Sequence, residues 1–381
     1  MKVLYVLHAT FMGGATLSFL SLVRGLMGRG VRPVIVAPCH DEQLEAIFRD
    51  MGITCYVIPM ALHCYVRYRG LASLKFPYRM LRRGLTWHRS IKALERIVRQ
   101  EQPDIIHTNV GPVHIGHVVA HRMGIPHVWH IREYGDLDFD MHAFPSVRAY
   151  RKCLSTDHVI CITKDLVRYN HLVNNPHACT IYNGVRGRKD VFYDGGKEPY
   201  FLCASRIEET KGHEDVLHAF ARFHERHPDW RLVILGAGAD TYLAKLRDMV
   251  KGYRLDGAVS FEGHKRNVTD YMRRARALVV ASHFEGFGRM TAEASFAGCM
   301  VIGRATGGTL EILQQTGGLL FNDNEALLSS MEEAACMPDD LYRNRVLHAQ
   351  RRAQELFSEE AYVENVYNVY STIKGPHPPA P

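Results

Sequence analysis

The chain of 381 residues has no apolar run approaching the roughly 20 residues needed to cross a bilayer. A secretory leader is not expected either. The apolar stretch at residues 1–8 reads as a strand and meets Gly13-Gly14 too soon. Cysteine spacing of the kind that builds a disulfide framework or a metal site is missing. The nine cysteines are odd in number and scattered, which fits reduced thiols in a cytoplasmic protein. A full dinucleotide fingerprint is also lacking. Leu235-Gly236-Ala237-Gly238 follows a strand-like run but has no third glycine, which argues against NAD and for a tight strand-to-helix turn. No nucleic-acid-binding motif occurs. Acid is nearly absent from one stretch: residues 67–99 hold ten Lys/Arg and one acid, Glu95.

The composition, 46% hydrophobic and 23% charged, is that of an ordinary globular protein, and the length suggests two or three domains. The basic stretch carries interleaved aromatics, Tyr65, Tyr68, Phe76, Tyr78 and Trp87. It supports three readings: peripheral association with an anionic membrane or acceptor, a solvated helix face, or nucleic acid. The first is preferred, and with no supporting motif elsewhere nucleic acid ranks last.

Short apolar runs alternate with amphipathic stretches along the whole chain. Strands are expected at residues 2–7, 34–37, 55–58, 104–107, 127–131, 158–162 and 180–182, with helices between them. Residues 183–199 are polar and rich in Gly, Lys and Asp, which reads as a linker. A second alternating series follows. The expected architecture is therefore α/β, with two doubly wound, Rossmann-like parallel-sheet domains facing a cleft. The expected limits are 1–183, a linker at 184–198, a second domain at 199–356, a helix at 357–374 returning to the first domain, and a disordered tail at 375–381. That last helix carries Tyr362, Val366, Tyr367, Val369 and Tyr370 on a helical period and needs a surface to cover.

The most informative stretch is residues 282–311. Glu285-Gly286-Phe287-Gly288-Arg289 links an expected strand to a helix that begins near Arg289 and contains Glu293. A glycine turn at a helix N-terminus aims backbone N–H groups at one point, a geometry suited to phosphate. A carboxylate just beyond it can grip vicinal hydroxyls of a ribose. The competing reading is a helix with acidic residues near its N-terminus. Arg206 and Lys211 follow another strand and suit a diphosphate, one as a fork and one as a point charge. Gly236 and Gly238 form a turn that belongs beside a nucleotide. Gly13 and Gly14 would let backbone approach a ligand. His107, Asn109 and His130 end two strands, and His130 is the best placed of them to reach the mouth of a cleft. Asp136, Asp138 and Asp140 alternate as metal-binding acids can, but also as an exposed turn does; no metal is expected.

Taken together, Glu285 and Glu293 with seven residues between them, Arg206, Lys211-Gly212, the Gly236–Gly238 turn, Gly307-Gly308 with Glu311, Asn183-Gly184-Val185 and Gly13-Gly14 resemble the retaining glycosyltransferases of family four, which have the GT-B architecture. The likeness covers nearly the whole chain. Two departures stand out: Ser205 precedes the arginine where glycine is usual, and Arg289 follows the glycine turn where an apolar residue is common.

The resemblance implies roles. Glu293 would bind the ribose and Glu285 the donor sugar. Arg206 and Lys211 would neutralise the diphosphate in place of a metal, and backbone at Gly286, Phe287, Gly288 and Arg289 would hold phosphate and sugar. His130 would reach the sugar from the N-terminal half. It also implies a UDP- or GDP-sugar donor, a lipid-linked or cell-surface polysaccharide acceptor, no metal or other cofactor, and a place in the cytoplasm; the basic stretch at residues 67–99 adds peripheral association with the inner face of a membrane. A nucleotide-sugar epimerase and a non-catalytic sugar-nucleotide-binding protein are the alternatives.

Overall fold

Short β-branched and aromatic runs form strands here because amphipathic helices on both sides cover them. The structure is a computed structural model that describes residues 1–8, 13–66 and 76–375. The expected tail, beyond Gly375, and residues 67–75 of the basic stretch lie outside the described residues.

The chain divides into two units, Met1–Gly184 with Glu359–Pro381, and Val185–Ser358. The first contains β1 (Lys2–Val6), β2 (Arg32–Ala37), β3 (Thr54–Val57), β4 (Cys64–Val66), β5 (Ile105–Thr108), β6 (His127–Ile131), β7 (Met141–Ala143), β8 (His158–Cys161) and β9 (Ala178–Thr180). Seven of these form a parallel sheet in the order β3-β2-β1-β5-β6-β8-β9. The other two, β4 and β7, pair antiparallel as a separate ribbon that the sequence pattern did not suggest.

Both faces of the sheet are buried. Along β1, Val3 and Tyr5 enter one apolar cluster and Leu4 and Val6 the other, the period-two alternation of a strand. The first face is closed by helices Gly14–Met27 and Glu359–Lys374, whose Phe19, Leu22, Val23, Tyr362, Val366 and Tyr370 are buried. The C-terminal helix thus belongs to the first unit. Helix Phe76–Glu101 carries the described part of the basic stretch. Among the described residues no helix is long and apolar enough to cross a membrane.

The second unit contains β10 (Glu198–Ala204), β11 (Arg231–Leu235), β12 (Val259–Gly263), β13 (Ala275–Val280), β14 (Met300–Arg304) and β15 (Leu319–Phe321). They form a parallel sheet in the order β12-β11-β10-β13-β14-β15. Phe201 and Cys203 of β10 face one cluster, and Tyr200, Leu202 and Ala204 the other. Residues 185–198, read from composition as a linker, are held within this unit. The Val185 N–H donates to Phe357 O and the Phe192 N–H to Phe296 O, each at 3.0 Å. The Gln350 amide donates to Phe192 O at 2.7 Å.

Candidate functional site

In the second sheet β10 pairs with β11 on one side and β13 on the other. The chain runs outward through β11 and β12, then crosses back to β13. The strand order reverses between β10 and β13, and in open α/β sheets ligands bind beyond the carboxyl ends of the strands at such a reversal. Arg206 and Lys211 follow β10, Gly236 and Gly238 follow β11, and Glu285 to Glu293 follow β13. All the nominated residues of this unit therefore emerge at the same edge of three adjacent strands.

Backbone contacts register these loops. The Ser205 N–H donates to Leu235 O at 3.1 Å and the Ile207 N–H to Ala237 O at 2.8 Å, so the Arg206 loop lies along the Gly236–Gly238 turn. Gly236 has φ +145, and a Cβ there would stand 1.9 Å from Ser205 O, so only glycine fits. The His283 N–H donates to Thr210 O at 2.9 Å, fastening the β13 loop to the β10 loop. Across that junction Lys211 Nζ lies 2.7 Å from Glu285 Oε1, and both side chains are largely enclosed. Arg206 is more open and pairs with Glu208 at 3.1 Å.

Helix Arg289–Phe296 begins after Gly288, whose φ of +84 turns the chain sharply. The Gly308 N–H donates to Glu285 O at 2.8 Å, which brings the N-terminus of helix Gly307–Thr316 against the same loop. Two helix N-termini thus flank Gly288, and their positive ends favour an anion there. Thr291 and Thr309 add buried hydroxyls with no hydrogen-bond partner among the described residues. A Cβ on Gly288 would lie 3.3 Å from Thr291 Oγ1 and 3.2 Å from Thr309 Oγ1, so both hydroxyls face the turn.

Arg289 Nε donates to Glu293 Oε1 at 2.7 Å, and its guanidinium also donates to Val185 O at 3.2 Å. Arg186 stands 3.8 Å from Glu293 Oε2. A cation at the first residue of a helix works against the helix dipole. The arginine is therefore poorly explained as a helix stabiliser and better explained as a clamp on Glu293.

The other nominated residues belong to the first unit. Gly13 is the extended residue before helix Gly14–Met27, and Gly14 is its first residue. His130 sits near the carboxyl end of β6 and is fully buried rather than presented on a surface. Its Nδ1 meets His107 Nε2 at 3.2 Å, and His107 Nδ1 meets the Tyr370 hydroxyl at 2.6 Å. The His130 Nε2 has no partner among the described residues. Burial, with the Arg132 cation beside them, lowers the pKa of both imidazoles well below the usual value and keeps them neutral. Arg132 is itself buried and donates to Asn109, Asn183 and the Tyr362 hydroxyl. The alternating acids have local tasks: Asp138 accepts from the Tyr134 and Gly135 N–H groups, Asp136 accepts from the Tyr169 hydroxyl, and Asp140 meets His142 at 3.2 Å.

The second unit therefore offers an anion site with separate carboxylates on either side of the phosphate turn. Thr291, Thr309 and Arg186 were not singled out from the sequence. A threonine near each helix start was the only available signal, and it is a common one.

Two family models match the chain. The one described as Glycosyl transferase 4-like domain matches residues 13–184, and the one described as Glycosyl transferases group 1 matches residues 190–346. The chain is 28% identical over 230 residues to the D-inositol 3-phosphate glycosyltransferase of Xylanimonas cellulosilytica, a match covering 59% of this chain and 53% of that one. It is 24% identical over 232 residues to the N-acetyl-alpha-D-glucosaminyl L-malate synthase of Bacillus anthracis, covering 57% and 60%. The matches thus span little more than half the length of these relatives. Among solved structures, Anabaena HepE in complex with UDP aligns with a TM-score of 0.79 at 16% identity, over 98% of this chain and 100% of that one. Its complex with UDP-glucose aligns with a TM-score of 0.74 at 17% identity, over the same shares. At such identity the likeness is one of fold.

Proposed function

Because the chain belongs to the family-four glycosyltransferases of GT-B architecture, we propose that it takes a sugar from a UDP- or GDP-sugar and transfers it, with retained anomeric configuration, to a lipid-linked or cell-surface polysaccharide acceptor. The observation that carries this reading is the Lys211–Glu285 contact of 2.7 Å, beside a glycine turn at two helix N-termini. It couples a cation suited to a leaving diphosphate with a carboxylate suited to the hydroxyls of the sugar being moved. The complexes of HepE with UDP and UDP-glucose support the donor class.

Breaking the bond between the anomeric carbon and the phosphate oxygen puts negative charge on the leaving diphosphate and positive charge on the sugar. Lys211, Arg206 and the two helix N-termini stabilise the first as it develops. In the proposed retaining reaction, the acceptor oxygen attacks on the face from which the diphosphate departs. The leaving phosphate oxygen takes the acceptor's proton, so no protein base is needed. Glu293, held by Arg289, accepts from the ribose hydroxyls. The cations do the work a divalent metal would do, so transfer is independent of added metal.

An exposed stripe on helix Phe76–Glu101 supports a membrane-associated acceptor. Tyr78, Leu81 and Leu85 are 64%, 65% and 55% exposed, and Arg82 and Arg89 lie on the same helical face. Apolar residues flanked by arginine suit the interface of an anionic bilayer.

A thermal-shift screen of nucleotide sugars tests the donor, since a bound donor stabilises the fold by mass action. One UDP- or GDP-sugar is expected to raise the Tm, with chelator present or absent. Its turnover with acceptor, read by NMR at the anomeric carbon, gives the stereochemistry. Donor isomerised with no acceptor present would replace transfer by epimerisation, and no shift with any nucleotide sugar would overturn the reading.

A further inference from the structure

At the edge of the first sheet opposite the carboxyl ends of its strands, three imidazoles converge on one carboxylate. His127 begins β6 and Asp157 immediately precedes β8, while His117 and His121 are one turn apart on helix Ile115–Met123. Residues four apart lie on the same helix face, and these two rings are 4.4 Å apart. His117 Nδ1 lies 2.7 Å from Asp157 Oδ2, and His121 Nε2 lies 2.6 Å from Asp157 Oδ1. His127 Nδ1 lies 2.6 Å from Oδ2 and its Nε2 lies 2.8 Å from the Thr108 hydroxyl.

From this cluster we infer that His117, His121 and Asp157 form a binding site for a zinc-like divalent cation, with His127 as the residue that positions the carboxylate. The donor set is two imidazole nitrogens and one carboxylate oxygen, which zinc favours and magnesium does not. The three ligand atoms lie within 4.8 Å of one another. His117 and His121 meet different oxygens of the carboxylate, and ligands of a tetrahedral zinc stand roughly 3.3 Å apart, so the side chains must adjust to set one oxygen and both nitrogens around the ion. His127 faces the carboxylate with one nitrogen and a hydroxyl with the other. It is buried. With the proton on Nδ1 it donates to Asp157 and accepts at Nε2 from the Thr108 hydroxyl, which fixes the carboxylate as outer-shell partners do in metal sites.

Among the described residues no lysine or arginine pairs with Asp157; its partners are the three imidazoles. The contrast is the group His227, Glu332 and Cys336, where Arg226 already pairs with Glu332 at 3.1 Å. His121 is half exposed, which leaves a path from solvent and room for a water as fourth ligand. The position, away from the carboxyl edge of the strands, gives the cation a structural role: it would clamp the helix to the start of two strands.

The test uses the full chain, free of any affinity tag and stripped with chelator. Zinc is expected to bind at one equivalent and raise the Tm on the order of 5 °C at saturating metal. Cobalt should give a visible absorption band, and magnesium should do neither. His121→Ala, a change at a half-exposed position, should keep the metal-free Tm and lose the zinc shift. His227→Ala should keep both. Survival of the shift in His121→Ala, its loss in His227→Ala, or no uptake by the parent chain would overturn the proposal.

Discussion

Lys211 Nζ stands 2.7 Å from Glu285 Oε1, although 74 positions separate them in the chain. The pair joins the loop after β10 to the loop after β13, at the point where the strand order of the second sheet reverses. If the lysine stabilises the leaving diphosphate while the glutamate holds the sugar, each is needed for the other's placement. Lys211→Ala and Glu285→Gln are each expected to lower kcat by about 10²–10³-fold. The double variant should lose far less than the product of the two, because the residues act as a unit. Initial rates with saturating donor provide the check. Multiplicative losses would mean that the contact is incidental to turnover.

Arg289 makes a different prediction. It holds Glu293 at 2.7 Å from the first position of its helix, where a cation gains nothing from the dipole. Arg289→Ala should therefore weaken nucleotide binding roughly tenfold and raise the donor KM more than it lowers kcat. Glu293→Gln, which forfeits charged hydrogen bonds to the ribose, should cost about 10–100-fold in UDP affinity. Calorimetric titration with UDP measures both. An Arg289→Ala protein with unchanged UDP affinity and lowered kcat would move this arginine from the ribose to the reacting sugar.

These pairings mark what could and could not be read in advance. Runs such as Val3–Tyr5 and Phe201–Cys203 are apolar at every position, as strands buried on both faces must be, and the parallel direction of the strands follows from alternation with helices. The seven-residue gap between Glu285 and Glu293 spans the turn and the first helical turn, so it was legible as one local unit. The meeting of Lys211 with Glu285, or of Arg289 with Val185, depends on loops closing over long separations, and nothing local encodes it. The β4–β7 ribbon is three residues a side, too short for a periodic signal. His130 looked like a strand-end group facing outward. Its burial depends on the C-terminal helix, more than two hundred residues later, whose Tyr362 ring packs against it and whose Tyr370 hydroxyl hydrogen-bonds its neighbour His107.

Glu133 gives the first unit a dependence on pH. Its carboxyl is pushed up to about 8, first by burial and then by the neighbouring Asp138, against a hydrogen bond from the Gly111 N–H at 2.7 Å. A folded-state pKa above the unfolded value means that the folded chain holds a proton the unfolded chain has released. The stabilising contribution is complete below about pH 4.5 and is lost as pH rises through about 8. Glu133→Gln keeps an acceptor for Gly111 and has no proton to lose. Its Tm should fall less than that of the parent between pH 6 and pH 9, and the two curves should separate most at the alkaline end. Parallel curves from thermal scans would show that the carboxyl is ionised in the fold at neutral pH.

The Arg132 guanidinium is buried, and among the described residues it has no carboxylate partner within ion-pair distance; Asn109, Asn183 and Tyr362 take its hydrogen bonds instead. An isolated buried cation is costly unless its donors are satisfied. The Tyr362 hydroxyl, 2.8 Å away, comes from the C-terminal helix, so the charge makes the first unit depend on a segment at the far end of the chain. Tyr362→Phe preserves the packed ring and deletes only the acceptor. It should cost about 1.5–3 kcal/mol, the range for a hydrogen bond to a charged group, and lower the unfolding midpoint of this unit by several degrees. Arg132→Met should partly offset the loss when added to Tyr362→Phe, because the unsatisfied charge is then gone. That compensation separates a penalty on the cation from simple loss of packing. If the double variant were less stable than either single change, the hydroxyl would be holding the helix by some means other than Arg132.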